Sequence, residues 1–424
     1  MRRLLFLLVL LGGFAAPHAY AQPTQQGILL DIQGAIGPAT AEYVHSGFEQ
    51  AQLGHASFVI LQLDTPGGLD RSMRDIIRDI ISSPVPVIAY VAPGGARAAS
   101  AGTYILYASQ IAAMAPGTNL GAATPVGIGS QPKSDAMEQK AKNDASAYIR
   151  SLAQLRNRNA GWAEKAVNQA ASLSAEEALK QNVIDVIAKD IPDLLQQING
   201  RTIEMQGAKI NLQTTGATVV QWQADWHAKL LSIITDPNIA YILMIIGIWG
   251  LFFEFAHPGA VLPGVTGAIC LLVALYAFQL LPISFVGLGL ILLGMACMVA
   301  EAFLPTFGAL GIGGVIAFII GSLMLLGPHT PGFAIALPLI VAVSIVSAGF
   351  FLLIVNMAIK ARFRPIVSGR EQLIGKTAVV ALEQDGTARV HIHGEWWQVR
   401  SSKVLLAGQR VKIVGIEGVV LLVE

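Results

Sequence analysis

Phe58-Val59-Ile60-Leu61-Gln62-Leu63 runs directly into Asp64-Thr65-Pro66-Gly67-Gly68. An apolar run of strand length, ended by proline and paired glycines, reads as a buried strand stopped by a tight turn. Working outward, Gly27-Ile28-Leu29-Leu30-Asp31-Ile32 reads as the strand before it. Val85 to Val91, closed by Pro93-Gly94-Gly95, reads as the strand after it. Between them, from about Leu69 to Ile81, Ile76, Ile77 and Ile80 share one helical face. Strands alternating with helices predict a largely parallel sheet covered on both faces. Sites in such sheets form just past the carboxyl ends of the strands, and both glycine-rich turns fall there.

The turn after the third strand leads to Ala96-Arg97-Ala98-Ala99-Ser100-Ala101-Gly102-Thr103. A serine among tiny residues suits a tight strand-to-helix junction with its hydroxyl exposed, and a helix is expected to start at Ser100. The following peptide N–H can face a developing oxyanion, and Gly67 and Gly68 can present N–H groups with no side chain in the way. The same glycines suit the edge of an extended peptide. A nucleophilic serine needs a base within hydrogen-bond reach. His45 and His55 both precede the second strand and sit in no strand-ending turn. No H-E-x-x-H occurs, which argues against zinc proteolysis. Lys133 lies near the end of a polar stretch, Gly127 to Asp135, Lys140 and Lys142 follow it, and the residues alone leave the choice among the three open. A helix is expected from Asp135 to Arg156, and Ser174 with Glu177 forms an S-x-x-E capping box.

The chain has 424 residues, 54% hydrophobic and only 13% charged, which places part of it in lipid. A net charge of +1 gives no pull toward nucleic acid. Arg2-Arg3, the apolar stretch Leu4–Phe14 and the A-x-A site Ala19-Tyr20-Ala21 read as a secretory signal over 1–21. A soluble α/β domain is expected over 22–200, a linker over 201–238 and a transmembrane domain over 239–360. Five apolar segments fall near 239–255, 262–280, 284–303, 308–326 and 333–357. Lys360, Arg362, Arg364, Arg370 and Lys376 follow the last one, which places that end in the cytoplasm. With the α/β domain exported, an odd number of spans is required. Cys270 and Cys297 lie in apolar runs and read as packing residues.

Glu254-Phe255-Ala256-His257-Pro258, with Gly264 and Gly267, repeats as Glu301-Ala302-Phe303-Leu304-Pro305, with Gly311 and Gly314, always 47 positions on. This predicts duplicated helical units. The two glutamates are the acids within the spans; each is followed by proline, as at a helix end. Over 361–424, five short alternating strands with glycine turns predict a small all-β barrel of the OB type. His391 and His393 alternate on one of them, with no third metal ligand evident.

Asp64–Gly68, Gly95–Gly102 and Met114-Ala115-Pro116-Gly117-Thr118-Asn119-Leu120-Gly121 together resemble the long-form NfeD family of membrane-bound serine proteases, of the ClpP/crotonase superfamily. The resemblance covers nearly the whole mature chain. It implies a ClpP/crotonase-like α/β domain, a polytopic α-helical membrane domain and an OB-like barrel. It implies a Ser–Lys dyad without metal or cofactor. Ser100 matches the nucleophile. The base lies seven residues before an Ala-Tyr-Ile-(Lys/Arg)-Ser-Leu-Ala segment, here starting at Ala147, and so falls on Lys140, with Lys142 as the fallback. The oxyanion donors fall on Gly68 and Ala101, beside Gly67. The resemblance further implies apolar peptide substrates, a stomatin/prohibitin-like membrane partner and a homodimeric or larger assembly with an extracytoplasmic protease domain. The alternative is a non-catalytic membrane scaffold organising such partners.

Overall fold

The computed structural model describes residues 25–126, 135–256, 258–304, 306–326, 333–362, 370–382 and 386–424. The expected signal segment and Lys133 lie outside them.

The expected alternation builds a six-stranded parallel sheet in the order Thr218–Gln221, Gln26–Gln33, Phe58–Asp64, Val87–Val91, Ile111–Met114, Val186–Ile187. Its central strands are buried on both faces, which is why they read as unbroken apolar runs. Side chains alternate between two cores. Val59, Leu61 and Leu63 pack with the helices Pro38–Leu53 and Asp70–Ser82. Phe58 and Ile60 point the other way, toward Ile88, Tyr90 and the helix Ile191–Ile198. In the helix Asp70–Ser82, Met73, Ile76, Ile77 and Ile80 are buried, as their spacing predicts. The Ser174–Glu177 box is formed: the Ser174 N–H donates to Glu177 Oε2 at 2.9 Å and opens the helix Ala175–Lys180.

Residues 201–221, expected as linker, carry strands instead. Thr202–Met205 and Ala208–Asn211 form a hairpin, and Ile203, Met205 and Leu212 join the core around Phe58. Thr218–Gln221 then covers the free edge of Gln26–Gln33. The segment's strands are only four residues long, so the alternation of Thr202-Ile203-Glu204-Met205 is too brief to stand out, and Thr218–Gln221 is stabilised by a strand far along the chain.

Arg158 is the most buried charge of the domain, with its side chain 1% exposed. Its guanidinium donates to the carbonyls of Leu106, Tyr107 and Ser109 at 2.9–3.1 Å and to Asp185 Oδ2 at 2.6 Å. It therefore caps the C-terminal carbonyls of the helix Ala101–Ala108. Arg156 donates to the Ala108 carbonyl at 2.7 Å, and burial together with the Arg158 charge lowers its pKa to about 10.

Among the described residues five apolar helices follow: Pro237–Ala256, Leu262–Leu280, Phe285–Phe303, Ala309–Leu325 and Leu337–Arg362. The first two are long and apolar enough to cross a membrane. The sequence repeat is a repeat of helical hairpins. A Cβ on Gly267 would lie 3.0 Å from the Gly247 carbonyl, and one on Gly314 would lie 2.6 Å from the Gly294 carbonyl. These pairs stand 47 positions apart, so each hairpin crosses backbone to backbone at matching glycines. The glutamates close the hairpin tips. Glu254 Oε1 accepts the Gly259 N–H at 3.2 Å; Glu301 Oε1 accepts the Thr306 N–H at 3.3 Å, five positions on in both repeats.

The C-terminal strands, Thr377–Leu382, Ala388–Ile392, Glu395–Arg400, Arg410–Glu417 and Val420–Val423, form a closed five-stranded barrel around Val380, Val390, Val411, Ile413 and Leu421. The His391 ring lies tilted at 46° to Trp396 with centroids 5.0 Å apart, and His393 Nε2 lies 2.6 Å from Lys376 Nζ.

Replacing Arg158 by Met strands Asp185 and several helix-end carbonyls. Chemical unfolding should show a loss of about 3–5 kcal/mol, the cost of a broken buried pair. A loss below about 1 kcal/mol would mean that other contacts hold the helix end.

Candidate active site

Two turns meet at the carboxyl end of the sheet. The first is Asp64–Gly68; the second carries Arg97–Ala99 and Ser100. Their lacing is dense. The Thr65 N–H donates to the Arg97 carbonyl at 2.7 Å, and the Ala99 N–H donates to the Thr65 carbonyl at 3.0 Å. The Arg97 N–H donates to Asp64 Oδ1 at 3.2 Å. Thr65 is fully buried, and its Oγ1 accepts the Gly67 N–H at 3.0 Å while donating to the Gly67 carbonyl at 3.1 Å.

Ser100 occupies the N-cap position of the helix Ala101–Ala108, which begins one residue after the expected start at Ser100. Its φ of 52° is unusual for a residue with a Cβ and costs about 1–3 kcal/mol. Neighbouring bonds hold it there. The Ser100 N–H donates to the Gly121 carbonyl at 2.9 Å, and the Thr103 N–H donates to the Ser100 carbonyl at 2.9 Å. Thr103 Oγ1 donates to the Ala98 carbonyl at 2.8 Å and accepts the Gly121 N–H at 3.1 Å.

Both glycines face this serine's surroundings, in different roles. Gly67 has φ +117°, and a Cβ there would lie 2.6 Å from Ser100 Cβ and 3.1 Å from Oγ. Its N–H is already taken by Thr65, so Gly67 supplies space. Gly68 is bridged to Ile36: the Ile36 N–H donates to the Gly67 carbonyl, and the Leu69 N–H to the Ile36 carbonyl, both at 2.8 Å. In a parallel pair those bonds turn the Gly68 N–H to the side away from Ile36. Ala101 opens its helix, so its N–H has no intrahelical acceptor.

Lys140 lies in the helix Asp135–Leu155, exposed and without a hydrogen bond to Ser100 among the described residues. Lys142 is less exposed and is paired with Glu138 at 2.8 Å. Arg74 holds the helix in place by donating to Asp144 at 2.8 Å and stacking over Tyr148. Tyr104, on the Ser100 helix, donates to the Ala145 carbonyl at 3.4 Å, and burial raises the pKa of its hydroxyl. His45 is engaged elsewhere, with Asp79 at 3.1 Å and Glu49 at 3.6 Å. Among the described residues no cluster of three or more metal-ligating side chains occurs. Thr65, Thr103 and Gly121 were not singled out by the sequence reading, although all three stand inside its quoted motifs. Their bonds join segments distant in the chain, and nothing local reports them.

A membrane-bound protease of Pyrococcus horikoshii is 36% identical over 435 aligned positions, spanning 100% of this chain and 98% of that protein. The chain belongs to the NfeD family. The NfeD1b N-terminal domain profile matches residues 28–206, the NfeD integral membrane domain 238–357, and the NfeD-like C-terminal, partner-binding domain 370–424. The NfeD1b membrane protein of Bacillus subtilis is 29% identical over 359 positions, 80% of this chain and 75% of that one. Among solved structures, a 1510-N membrane-bound stomatin-specific protease, a lysine-to-alanine variant with a substrate peptide, matches at 39% identity. It covers 51% of this chain and 100% of its own, with a TM-score of 0.47. This NfeD chain is thus a membrane protein and a serine peptide hydrolase.

Gly67→Ala should keep the fold and lower kcat on a peptide by on the order of 100-fold, because its Cβ meets Ser100. Thr65→Val, of the same shape, should cost about 10- to 100-fold, and Thr65→Ser less. Rates compared with circular dichroism check both; an unchanged rate in Thr65→Val would remove its hydroxyl from the site's support.

Proposed function

We propose that this chain is a membrane-anchored endopeptidase using a Ser100–Lys140 dyad on apolar peptide segments, within a ClpP/crotonase-like domain. The observation that carries it is the strained Ser100 beside Gly67, with the Gly68 and Ala101 N–H groups left for a ligand. Neutral Lys140 takes the proton of Ser100 Oγ as that oxygen attacks the peptide carbonyl carbon. The carbonyl oxygen becomes an oxyanion held by the two N–H groups. Lys140 returns the proton to the leaving amine, and the C–N bond breaks. Water then attacks the acyl-enzyme, giving up a proton to Lys140 and freeing Ser100. The ion pair to Glu138 already engages the Lys142 amine, which favours Lys140 as the base. A bound peptide, a second copy of the chain or both complete the site around the exposed Lys140.

The barrel, of OB type, and the membrane helices serve to bring a protein partner to the site. The full-length relative and the partner-binding description of the C-terminal domain support a stomatin/prohibitin-like partner. The protease domain faces the outside and the barrel the cytoplasm, supported by the basic residues after the last apolar helix.

Purified full-length chain in detergent should cleave apolar peptides, and Ser100→Ala should abolish cleavage by a factor of about 10³ or more. Lys140→Arg should be as inactive as Lys140→Ala, since a guanidinium stays charged. Full activity in Lys140→Arg would move the base elsewhere; full activity in Ser100→Ala would leave the scaffold reading.

A further inference from the structure

The helix Trp226–Ile234 links the protease domain to the first apolar helix, and it is apolar on two sides. Its inner side holds the buried Ala228 and the partly buried Leu231, and packs against the helix Pro38–Leu53. Its outer side presents Trp226, Leu230 and Ile233, which are 66%, 47% and 54% exposed. Spacings of four and three residues put these three on one stripe. Only Thr235 and Asp236 separate the helix from Pro237, where the first membrane helix starts. The two-residue link keeps the end of the helix within about 10 Å of Pro237 even at full extension, and the stripe runs back from there over about 12 Å of helix.

We propose that Trp226–Ile234 lies in the lipid interface with Trp226, Leu230 and Ile233 facing the acyl boundary, and thereby holds the active site against the bilayer surface. The occupant of the stripe is lipid, because the chain's own continuity delivers it there. Two further contacts fix the same face of the domain. The ring of Phe333, from the segment before the last apolar helix, is 6% exposed and would sit 2.9 Å from a Cβ on Gly37. Asn238 Oδ1 accepts the Ala336 N–H at 2.8 Å, tying that segment to the start of the first membrane helix. Gly37 follows Ile36, the residue bridged to Gly68. The edge of the site is thus one residue from a membrane-domain contact. Resting on the endopeptidase reading, the substrate class that follows is the bilayer-proximal segment of a membrane-anchored polypeptide.

The test uses full-length chain, with Cys270→Ser and Cys297→Ser, in phosphatidylcholine vesicles. Trp226→Cys is labelled with an environment-sensitive fluorophore and quenched by spin-labelled lipid or by aqueous iodide. Quenching by shallow lipid spin labels, with little by iodide, is expected; the same label on Ala208→Cys, in the exposed hairpin, should show the reverse. Iodide quenching at position 226 would overturn the proposal, and so would protection from both quenchers, which means a protein covers the stripe. Cleavage is then followed on one apolar sequence, supplied either free or anchored by a membrane helix through spacers of rising length. Short spacers should be cut about tenfold faster than long ones. Leu230→Glu with Ile233→Glu should erase that preference while leaving the free peptide's rate unchanged. Equal rates at every spacer length would overturn the substrate class. No cleavage of the free peptide would instead count against the endopeptidase reading, with the quenching result still deciding where the helix lies.

Discussion

The site depends on one buried hydroxyl. Thr65 closes the turn that carries Gly67 and Gly68, and through its own N–H and carbonyl it fastens that turn to Arg97 and Ala99. A turn with two glycines is floppy by composition; the entropy lost in fixing it is on the order of 1–2 kcal/mol per residue. Thr65 meets that cost with four hydrogen bonds out of reach of water, where an unmade bond would itself cost about 1–3 kcal/mol. The left-handed Ser100 is the second strained element, held from the opposite side by Gly121 and Thr103. Ser100 and the N–H groups of Gly68 and Ala101 are therefore fixed in place by the fold itself, the preorganisation that the proposed mechanism requires.

The far end of the same helix needs equal care. Ala101–Ala108 has eight residues, all buried, too short to be stable alone. Its last carbonyls receive Arg158, with Arg156 beside it. Two cations at a helix C-terminus complement its dipole. Asp185 balances one of them and also accepts the Ala112 N–H at 2.7 Å, which ties the cap to the sheet. A serine held at one end by backbone bonds and at the other by a buried arginine sits on a fixed lever.

Much of this was legible in the chain. Apolar runs ending in Gly67-Gly68 and Gly94-Gly95 marked the parallel strands, because a strand buried on both faces has no alternation to blur it. The membrane hairpins were legible through their 47-residue period, since close helix crossing demands a glycine and leaves few substitutes. The strands over 202–221 were not: two are four-residue strands of a short hairpin, and Thr218–Gln221 gains stability only from Gln26–Gln33, far along the chain. Arg158 was illegible for the same reason: one arginine in Arg156-Asn157-Arg158 looks like a solvated charge until the fold encloses it.

The dyad divides along the same line. Ser100 is defined by its immediate neighbours, since small residues on both sides are what a sharp turn requires. A general base is defined by what surrounds it in space, and Lys140 stands on a helix face that this single chain leaves exposed. Lys142 already has a carboxylate partner, Glu138, 2.8 Å away. An amine becomes a base when its charged form loses water and finds no counter-ion. The fold leaves Lys140 exposed and pairs Lys142 with Glu138, so in the proposed dyad the serine is held by the chain itself and the lysine depends on what comes to cover it.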